Sequence, residues 1–353
     1  MKMTNASRVL TAGLSRRAFV GASLASAATL VLAGCNSGSG SADASSDSKA
    51  ASSEKTKITF CLDYTPNTNH TGIYVAQNKG FFADEGLEVE IVQPADGTAE
   101  GAIGTGQAQL GVSYQDYLAA AYDAGNTGLT AVAAVIQHNT SGIMSRAEDG
   151  ITHAALMEDH VYTTWYMAVE QATIKQVMTT DGGDFSKLKM VPFTVDDEVQ
   201  GLKANMFDCV WVYEGWAVQN AAVQDYPVNY FSFKDMDDVF DFYTPVLAAN
   251  NDFMKSNPDA VRAFLRAAKK GYEFAVEHPE DAAQILCDEV PELDSALVEA
   301  SAKYLADQYT ADASSWGVID GKRWAAYFQW LNDNDPVENK LDVNAGFDTS
   351  YLA

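Results

Sequence analysis

Basic charge is scarce in this chain: 23 Lys and Arg stand against 48 Asp and Glu, a formal net charge of −25 over 353 residues. A surface of that sign is repelled by phosphate backbones, and no basic stripe or aromatic RNA-binding signature offsets it, so nucleic acid is excluded as a partner. Cysteine is scarcer still. Cys35, Cys61, Cys209 and Cys287 are widely and unequally spaced, which excludes a disulfide framework, and Cys61 and Cys209 lie in apolar runs where a small buried hydrophobe is expected. The five histidines show no metal-ligand spacing. No GxGxxG, Walker loop or GxSxG elbow occurs, so neither a phosphate cradle nor a serine nucleophile is encoded in a recognisable form. No metal and no cofactor are expected.

The N-terminal segment has the three parts of an export signal. Lys2, Arg8, Arg16 and Arg17 form a basic front, residues 18–33 are apolar and small, and Leu32-Ala33-Gly34-Cys35 closes the run. Ser15-Arg16-Arg17-Ala18-Phe19-Val20 is similar to the twin-arginine motif, and Leu-Ala-Gly-Cys is similar to the lipobox at which prolipoproteins are cut and acylated. Residues 1–34 are therefore read as a signal peptide and Cys35 as the lipidated residue, anchoring the protein to the outer face of the cell membrane. Without those 34 residues, 19 basic residues face 48 acidic ones, a net charge of −29. Residues 35–56 are nearly all Ser, Gly, Ala and Asp, a composition that cannot bury enough apolar surface to offset the entropy of ordering it. They read as a tether.

From Lys57 onward, short apolar runs alternate with helical patterns: ITFCL, LEVEIV, QLGVSY and LTAVAAVI, each followed or preceded by a helix-like stretch. The rhythm resumes in VYTTWY, LKMVPFTV and FDCVWVY. Alternation of this kind implies α/β architecture with mostly parallel sheets and right-handed crossovers. The polar stretch 145–160 and the run DFYTPVLAAN at 241–250 are the candidate crossing points, giving lobe 1 as 57–146 with 246–353 and lobe 2 as 147–245. In the helical tail, Val261, Phe264, Leu265, Ala268 and Tyr272 fall on one face, as do Trp324, Phe328 and Leu331, and both stripes read as core.

Ligands of open parallel sheets sit outside the carboxyl ends of the strands. DYTPNTNHTG, residues 63–72, is such a turn, crowding Asp63, Tyr64, Asn69 and His70 after an apolar run. Pro66 and the Asn-Thr-Asn run account for part of it as turn and cap chemistry, and Asp63 has two open roles, satisfying backbone amides or touching a ligand. Similar clusters end the other strands: Tyr114 and Gln115; Trp165 with Glu170; Tyr213, Glu214 and Trp216. Repeated aromatics, amides and carboxylates suit a flat, nitrogen-rich ring, which stacks on Tyr and Trp and offers its edge to polar groups. Asp63 and Glu214 are assigned to polar edges, Tyr64, Tyr114, Tyr213, Trp165 and Trp216 to the aromatic lining, and Asn69, His70 and Gln115 to orientation; Glu170 also suits the start of its helix.

LDYTPNTNHTGIYVAQNKGFFADEGLEVEIVQPADG, GQAQLGVSYQDYLAAA, VAAVIQHNTSG, ATIKQVMTTDGGDF, YEGW and DFYTPVLAANNDFMKSNPDAVRAFLRAAKKGYEFA occur in that order. Over nearly all of residues 57–352 the chain resembles the bacterial NMT1/THI5-like group, substrate-binding proteins of ABC importers for pyrimidine precursors of thiamine. The resemblance implies two lobes of the type II periplasmic-binding fold joined by a two-segment hinge, an aminopyrimidine or similar heteroaromatic ligand, an importer permease as partner, no enzymatic activity, and a monomer. Riboflavin or a sulfonate is the alternative ligand class. The group also contains hydroxymethylpyrimidine phosphate synthases, which carry a lysine and a histidine after the third strand and a CCCFC motif; here Ser113 and Tyr117 stand at the first two positions and the cysteine cluster is missing. Where importers carry a Gly-Gly-Trp-Gly-like run, this chain has YTTWYMAVEQA, so the pocket's shape is expected to differ.

Overall fold

The computed structural model describes residues 55–94, 98–192, 197–334 and 336–352. The expected signal peptide, Cys35 and all but the last two residues of the expected tether lie outside the described residues. Among the described residues, no helix is long and apolar enough to cross a membrane.

Among the described residues, ten strands form two five-stranded sheets. The first takes β1 (Thr56–Cys61), β2 (Leu87–Val92), β3 (Leu110–Ser113), β4 (Leu129–Ala134) and β10 (Val246–Asn250), ordered β2-β1-β3-β10-β4. The second takes β5 (Ser141–Arg146), β6 (Val161–Thr163), β7 (Lys189–Val191), β8 (Cys209–Tyr213) and β9 (Val228–Ser232), ordered β7-β6-β8-β5-β9. The β1–β2, β1–β3, β6–β7 and β6–β8 pairs are parallel. One strand in each sheet, β10 or β5, runs antiparallel to both neighbours, and each is the first strand after the chain crosses from the other sheet. The chain thus enters each sheet from the opposite end.

That geometry departs from the sequence reading in two respects: two of the four pairings in each sheet are antiparallel, so the sheets are mixed and not mostly parallel, and the first crossing comes earlier. Ser141–Arg146 belongs to the second sheet, so the first crossing lies at 135–140 and not at 146/147; the chain re-enters the first sheet at Val246. The strand is hard to read because all six of its residues are buried, which erases the alternation of a half-exposed strand. Even Arg146 is inside, donating to the carbonyls of Leu202 and Phe207 and pairing with Asp208 and Asp149. Both tail stripes are core: Val261, Phe264, Leu265, Ala268, Tyr272, Trp324, Phe328 and Leu331 are buried. Cys61 and Cys209 are buried, and burial pushes both thiols above their ordinary range.

The long helix Pro258–Glu277 opens on proline at its first position, where the missing N–H has no helical partner in any case. It lies against helix Thr71–Asn78, which follows the 63–70 turn. Glycine makes the approach possible: a Cβ on Gly271 would sit 1.9 Å from the Gly72 carbonyl oxygen, and one on Gly72 2.3 Å from the Tyr272 ring. From this packed base Tyr272 Oη donates to the Asn69 carbonyl at 2.8 Å and Tyr309 Oη to the Thr68 carbonyl at 2.7 Å. The turn after β1 is therefore held by buried phenols from behind.

Candidate ligand-binding site

The carboxyl ends of β1, β3, β6 and β8 face the seam between the two sheets. At β1, His70 is fully buried and donates Nε2–H to Asp63 Oδ1 at 2.6 Å, while its Nδ1 accepts from the Asn67 amide at 3.1 Å. The backbone contact fixes the tautomer, so the proton is aimed at the carboxylate. Tyr114, from the end of β3, donates its hydroxyl to the other oxygen, Asp63 Oδ2. Burial pushes Asp63 up, but the imidazole and phenol outweigh it and hold the carboxyl below its usual range. Asp63 therefore carries charge with both oxygens oriented. Asn69 adjoins this triad, its N–H donating to Asn67 Oδ1 at 2.9 Å, and the next aromatic, Tyr64, is 55% exposed.

Tyr114 also joins the two sheets. Its ring stacks on Tyr213, from the end of β8, with centroids 5.9 Å apart and planes 17° from parallel, and it tilts against Tyr117 at 5.3 Å. Tyr213 Oη lies 3.3 Å from Thr244 Oγ1 on the returning crossing. Trp165, at the end of β6, is 52% exposed and meets Trp211 edge-on at 5.9 Å. Trp211 and Tyr213 share one face of β8, so the second sheet contributes aromatic surface where the first contributes a carboxylate.

Four of the expected contacts are engaged within the protein. Gln115 is buried with both ends of its amide engaged, Nε2 donating to the Trp324 carbonyl at 2.9 Å and Oε1 accepting from the Tyr243 amide at 3.0 Å. It fastens a crossing segment. Glu170 is buried and accepts from Tyr162 Oη at 2.7 Å, Thr164 Oγ1 at 2.9 Å, the Trp165 amide at 3.1 Å and the Met167 amide at 3.3 Å. Its carboxylate shapes the loop carrying Trp165 and caps the helix Ala168–Thr180, while burial pushes it above the ordinary carboxylate range. Glu214 accepts from Tyr304 Oη at 2.7 Å, from helix Ser295–Ala306. Trp216 packs on the cluster of Tyr74, Ala283 and Leu286. Beside them Ser301 Oγ donates to the Gly215 carbonyl and lies 2.5 Å from Thr68 Oγ1, so the YEGW stretch is tied to the first sheet's helices.

Several groups escaped the sequence reading. Among the described residues, the buried atoms Asp116 Oδ1, Ser141 Oγ and Trp211 Nε1 have no hydrogen-bond partner. Asp116 follows Gln115 at the start of helix Gln115–Asp123, where an acid ordinarily reads as dipole chemistry. Ser141 is the cross-strand partner of Tyr213. At the crossings, Arg323 donates to Asp241 at 2.9 Å and to the Gln137 carbonyl at 2.6 Å, and His138 lies 2.7 Å from Asp241 and 2.9 Å from Asp312. One ion-paired knot thus joins both crossing segments. A hollow of about 500 Å³ opens beside that knot and another of about 480 Å³ beside Asp320 and Phe347. Neither Tyr114 nor Tyr213 lines either hollow.

The model of the group described as "NMT1/THI5 like" matches residues 67–282 of this chain, spanning both crossings and most of the seam. The chain belongs to the NMT1/THI5-like family. Within reach of that family is the formylaminopyrimidine-binding protein of Halalkalibacterium halodurans, 26% identical over 332 residues, 91% of this chain and 95% of that protein. The 4-amino-5-hydroxymethyl-2-methylpyrimidine phosphate synthase THI11 of Saccharomyces cerevisiae is 25% identical over 252 residues, 68% of this chain and 73% of the enzyme. In solved structures the fold recurs in the alkanesulfonate-binding protein SsuA of Xanthomonas axonopodis pv. citri bound to MOPS, with TM-score 0.65, 11% identity and coverage of 84% of this chain and 99% of that one. The aliphatic sulphonate-binding SsuA of Escherichia coli matches equally, with TM-score 0.65 and 14% identity over 84% and 99%. This NMT1/THI5-like chain therefore has the periplasmic-binding-protein fold.

Proposed function

We propose that the protein is the extracytoplasmic solute-binding component of an ABC importer and that it captures a 4-aminopyrimidine precursor of thiamine. The observation that carries this reading is the ionised, doubly bonded Asp63 set against the Tyr114–Tyr213 stack. A planar ring entering between those tyrosines would replace one aromatic face by another, and a carboxylate with fixed oxygens beside it suits a hydrogen-bond donor on the ring's substituents. The similarity to a formylaminopyrimidine-binding protein over nearly its whole length supports the same ligand class. Opening would require the two lobes to part about 135–140 and 240–245, and a ligand touching both walls would favour the shut state by its differential affinity.

A thermal-shift and calorimetry series on the protein lacking its first 34 residues tests this. 4-Amino-5-hydroxymethyl-2-methylpyrimidine or its formylaminomethyl analogue should raise the midpoint; at 100 times Kd the stabilisation is about 2.7 kcal/mol. A shift with taurine or riboflavin alone would overturn the ligand assignment. The sulfonate alternative is disfavoured by the groups at the seam, since no Lys or Arg is among those described there.

The phosphate-synthase reading rests on relatives such as the yeast enzyme. Against it, Ser113 and Tyr117 stand where the resemblance places the lysine and histidine of those enzymes, and Ser113 Oγ is bonded to Glu100 at 2.6 Å. Pyridoxal phosphate should give no Schiff-base absorbance with this protein. Export, lipid on Cys35 and a monomeric state belong to the same proposal. Cys35→Ser should abolish incorporation of labelled fatty acid and release the protein from membranes.

A further inference from the structure

Asp116 is a buried carboxyl that meets the amides of its own turn and leaves one oxygen open. It is 7% exposed, and its Oδ1 has no partner although a buried carboxylate oxygen ordinarily has one. The ionisable groups that interact with it are acids and phenols: Glu100 on helix Ala99–Gly104, Tyr213 at the end of β8, Tyr327 on helix Gly321–Asp333 and Tyr117 on its own helix. Beyond Tyr117 and Tyr213 lies Asp63, already engaged by His70 and Tyr114. Across the seam, the unpartnered Trp211 Nε1 and Ser141 Oγ lie on the two strands that carry and pair with Tyr213. An acceptor from one lobe and two donors from the other are thus left open around the same tyrosine.

We propose that Asp116 reads the amino edge of the bound pyrimidine, one carboxyl oxygen accepting the exocyclic N–H and the other sharing a single proton with the adjacent ring nitrogen. This inference rests on the aminopyrimidine reading above. The pairing needs one proton in total, held by the carboxyl or by the ring, and both arrangements keep two hydrogen bonds. Asp63, held as a carboxylate by two donors, cannot supply that proton. Asp116 can, because burial, outweighing the amides of its own turn, pushes it up to about 7. The neighbouring tyrosines are pushed upward by burial and stay neutral through the working range.

Titration calorimetry in two buffers of different ionisation enthalpy reads the proton directly. At pH 8 the free carboxyl is mostly ionised and the free pyrimidine neutral, so the complex should take up close to one proton per ligand. Affinity should then fall about tenfold per pH unit from pH 8 to pH 9. Asp116→Asn, checked for native near-ultraviolet circular dichroism, should show no uptake and bind with an affinity that no longer changes from pH 8 to pH 9, its amide oxygen accepting the exocyclic N–H and its N–H donating to the ring nitrogen. Asp116→Leu, checked likewise, should bind 4-amino-5-hydroxymethyl-2-methylpyrimidine at least tenfold more weakly and no longer distinguish it from 5-hydroxymethyl-2-methylpyrimidine, which lacks the amine. Wild-type binding without proton uptake overturns the pairing, even if the variants do not fold. So does an Asp116→Leu protein that keeps its preference for the amine. If the wild type binds neither pyrimidine, the functional reading itself has failed, which is a different result from tight binding indifferent to Asp116.

Discussion

The strand ends of the first sheet present a charge and those of the second present faces. Asp63 is ionised and aimed, with His70 and Tyr114 fixing its two oxygens, whereas the comparable acid of the second sheet, Glu170, is turned inward to gather four donors around the loop of Trp165. What the second sheet leaves outward is aromatic: Trp165, half exposed, with Trp211 and Tyr213 behind it. The same residue type therefore does opposite work on the two walls. A carboxylate bonded by side chains of neighbouring strand ends becomes a recognition group, and one bonded by its own loop becomes scaffolding.

The largest effect should come from breaking the charged wall. His70→Ala leaves Asp63 in a buried site without its main donor, and removal of one partner of a buried pair costs about 3–5 kcal/mol. Chemical denaturation should show a loss of that order, together with loss of aminopyrimidine binding; a loss under about 1 kcal/mol would mean the pair is already solvated. The sign with pH follows from the lowered Asp63 pKa. Its contribution is present above the unfolded carboxylate pKa and is lost as pH falls through the lower folded value, so the stability gap between wild type and Asp63→Asn should be full at pH 7 and close below about pH 4.

The inward acid should matter next. Glu170→Ala strips four donors of their acceptor, and unsatisfied buried groups cost about 1–3 kcal/mol each before water or rearrangement compensates. A net loss of about 2–4 kcal/mol is expected, with amide exchange accelerating chiefly at residues 162–167. Glu170→Gln should retain about half of that loss, since one amide oxygen still accepts. If instead the two Glu170 variants abolish ligand binding with stability unchanged, Glu170 is a ligand contact and the contrast between the walls fails.

How much of this was legible in the sequence follows the same division. The alternating runs announced two α/β units, and the helical stripes of Val261 to Tyr272 and of Trp324 to Leu331 announced the core, because period carries burial information whenever one face is wet. Strand β5 carried none, being buried throughout, and so the first crossing was read too late. At the site, proximity to a strand end brought Asp63, His70, Tyr114 and Tyr213 to notice. It could not say which way an amide or carboxylate turns. Gln115 and Asp116 are adjacent, yet Gln115 is fastened to Trp324 and Tyr243 while Asp116 has an open oxygen. One residue of helix rotation separates them, about 100°, and only the packed structure decides which of the two meets the seam.

The smallest effect on stability should accompany the most informative effect on binding. Trp165 is 52% exposed, meets Trp211 edge-on, and stands on a loop whose shape is set by Glu170. Trp165→Ala should therefore change stability by less than about 0.5 kcal/mol, as exposed positions do. Its ring is nonetheless half-exposed aromatic surface on the second wall, and loss of one stacking partner removes about 0.5–1.5 kcal/mol beyond area. An affinity loss of up to about tenfold is expected, with Trp165→Phe recovering most of it. The rescue separates stacking from mere filling. If Trp165→Leu recovers as much as Trp165→Phe, the wall supplies bulk and not a π-face, and the second lobe's part in recognition reduces to closure over a ligand that the first lobe alone has chosen.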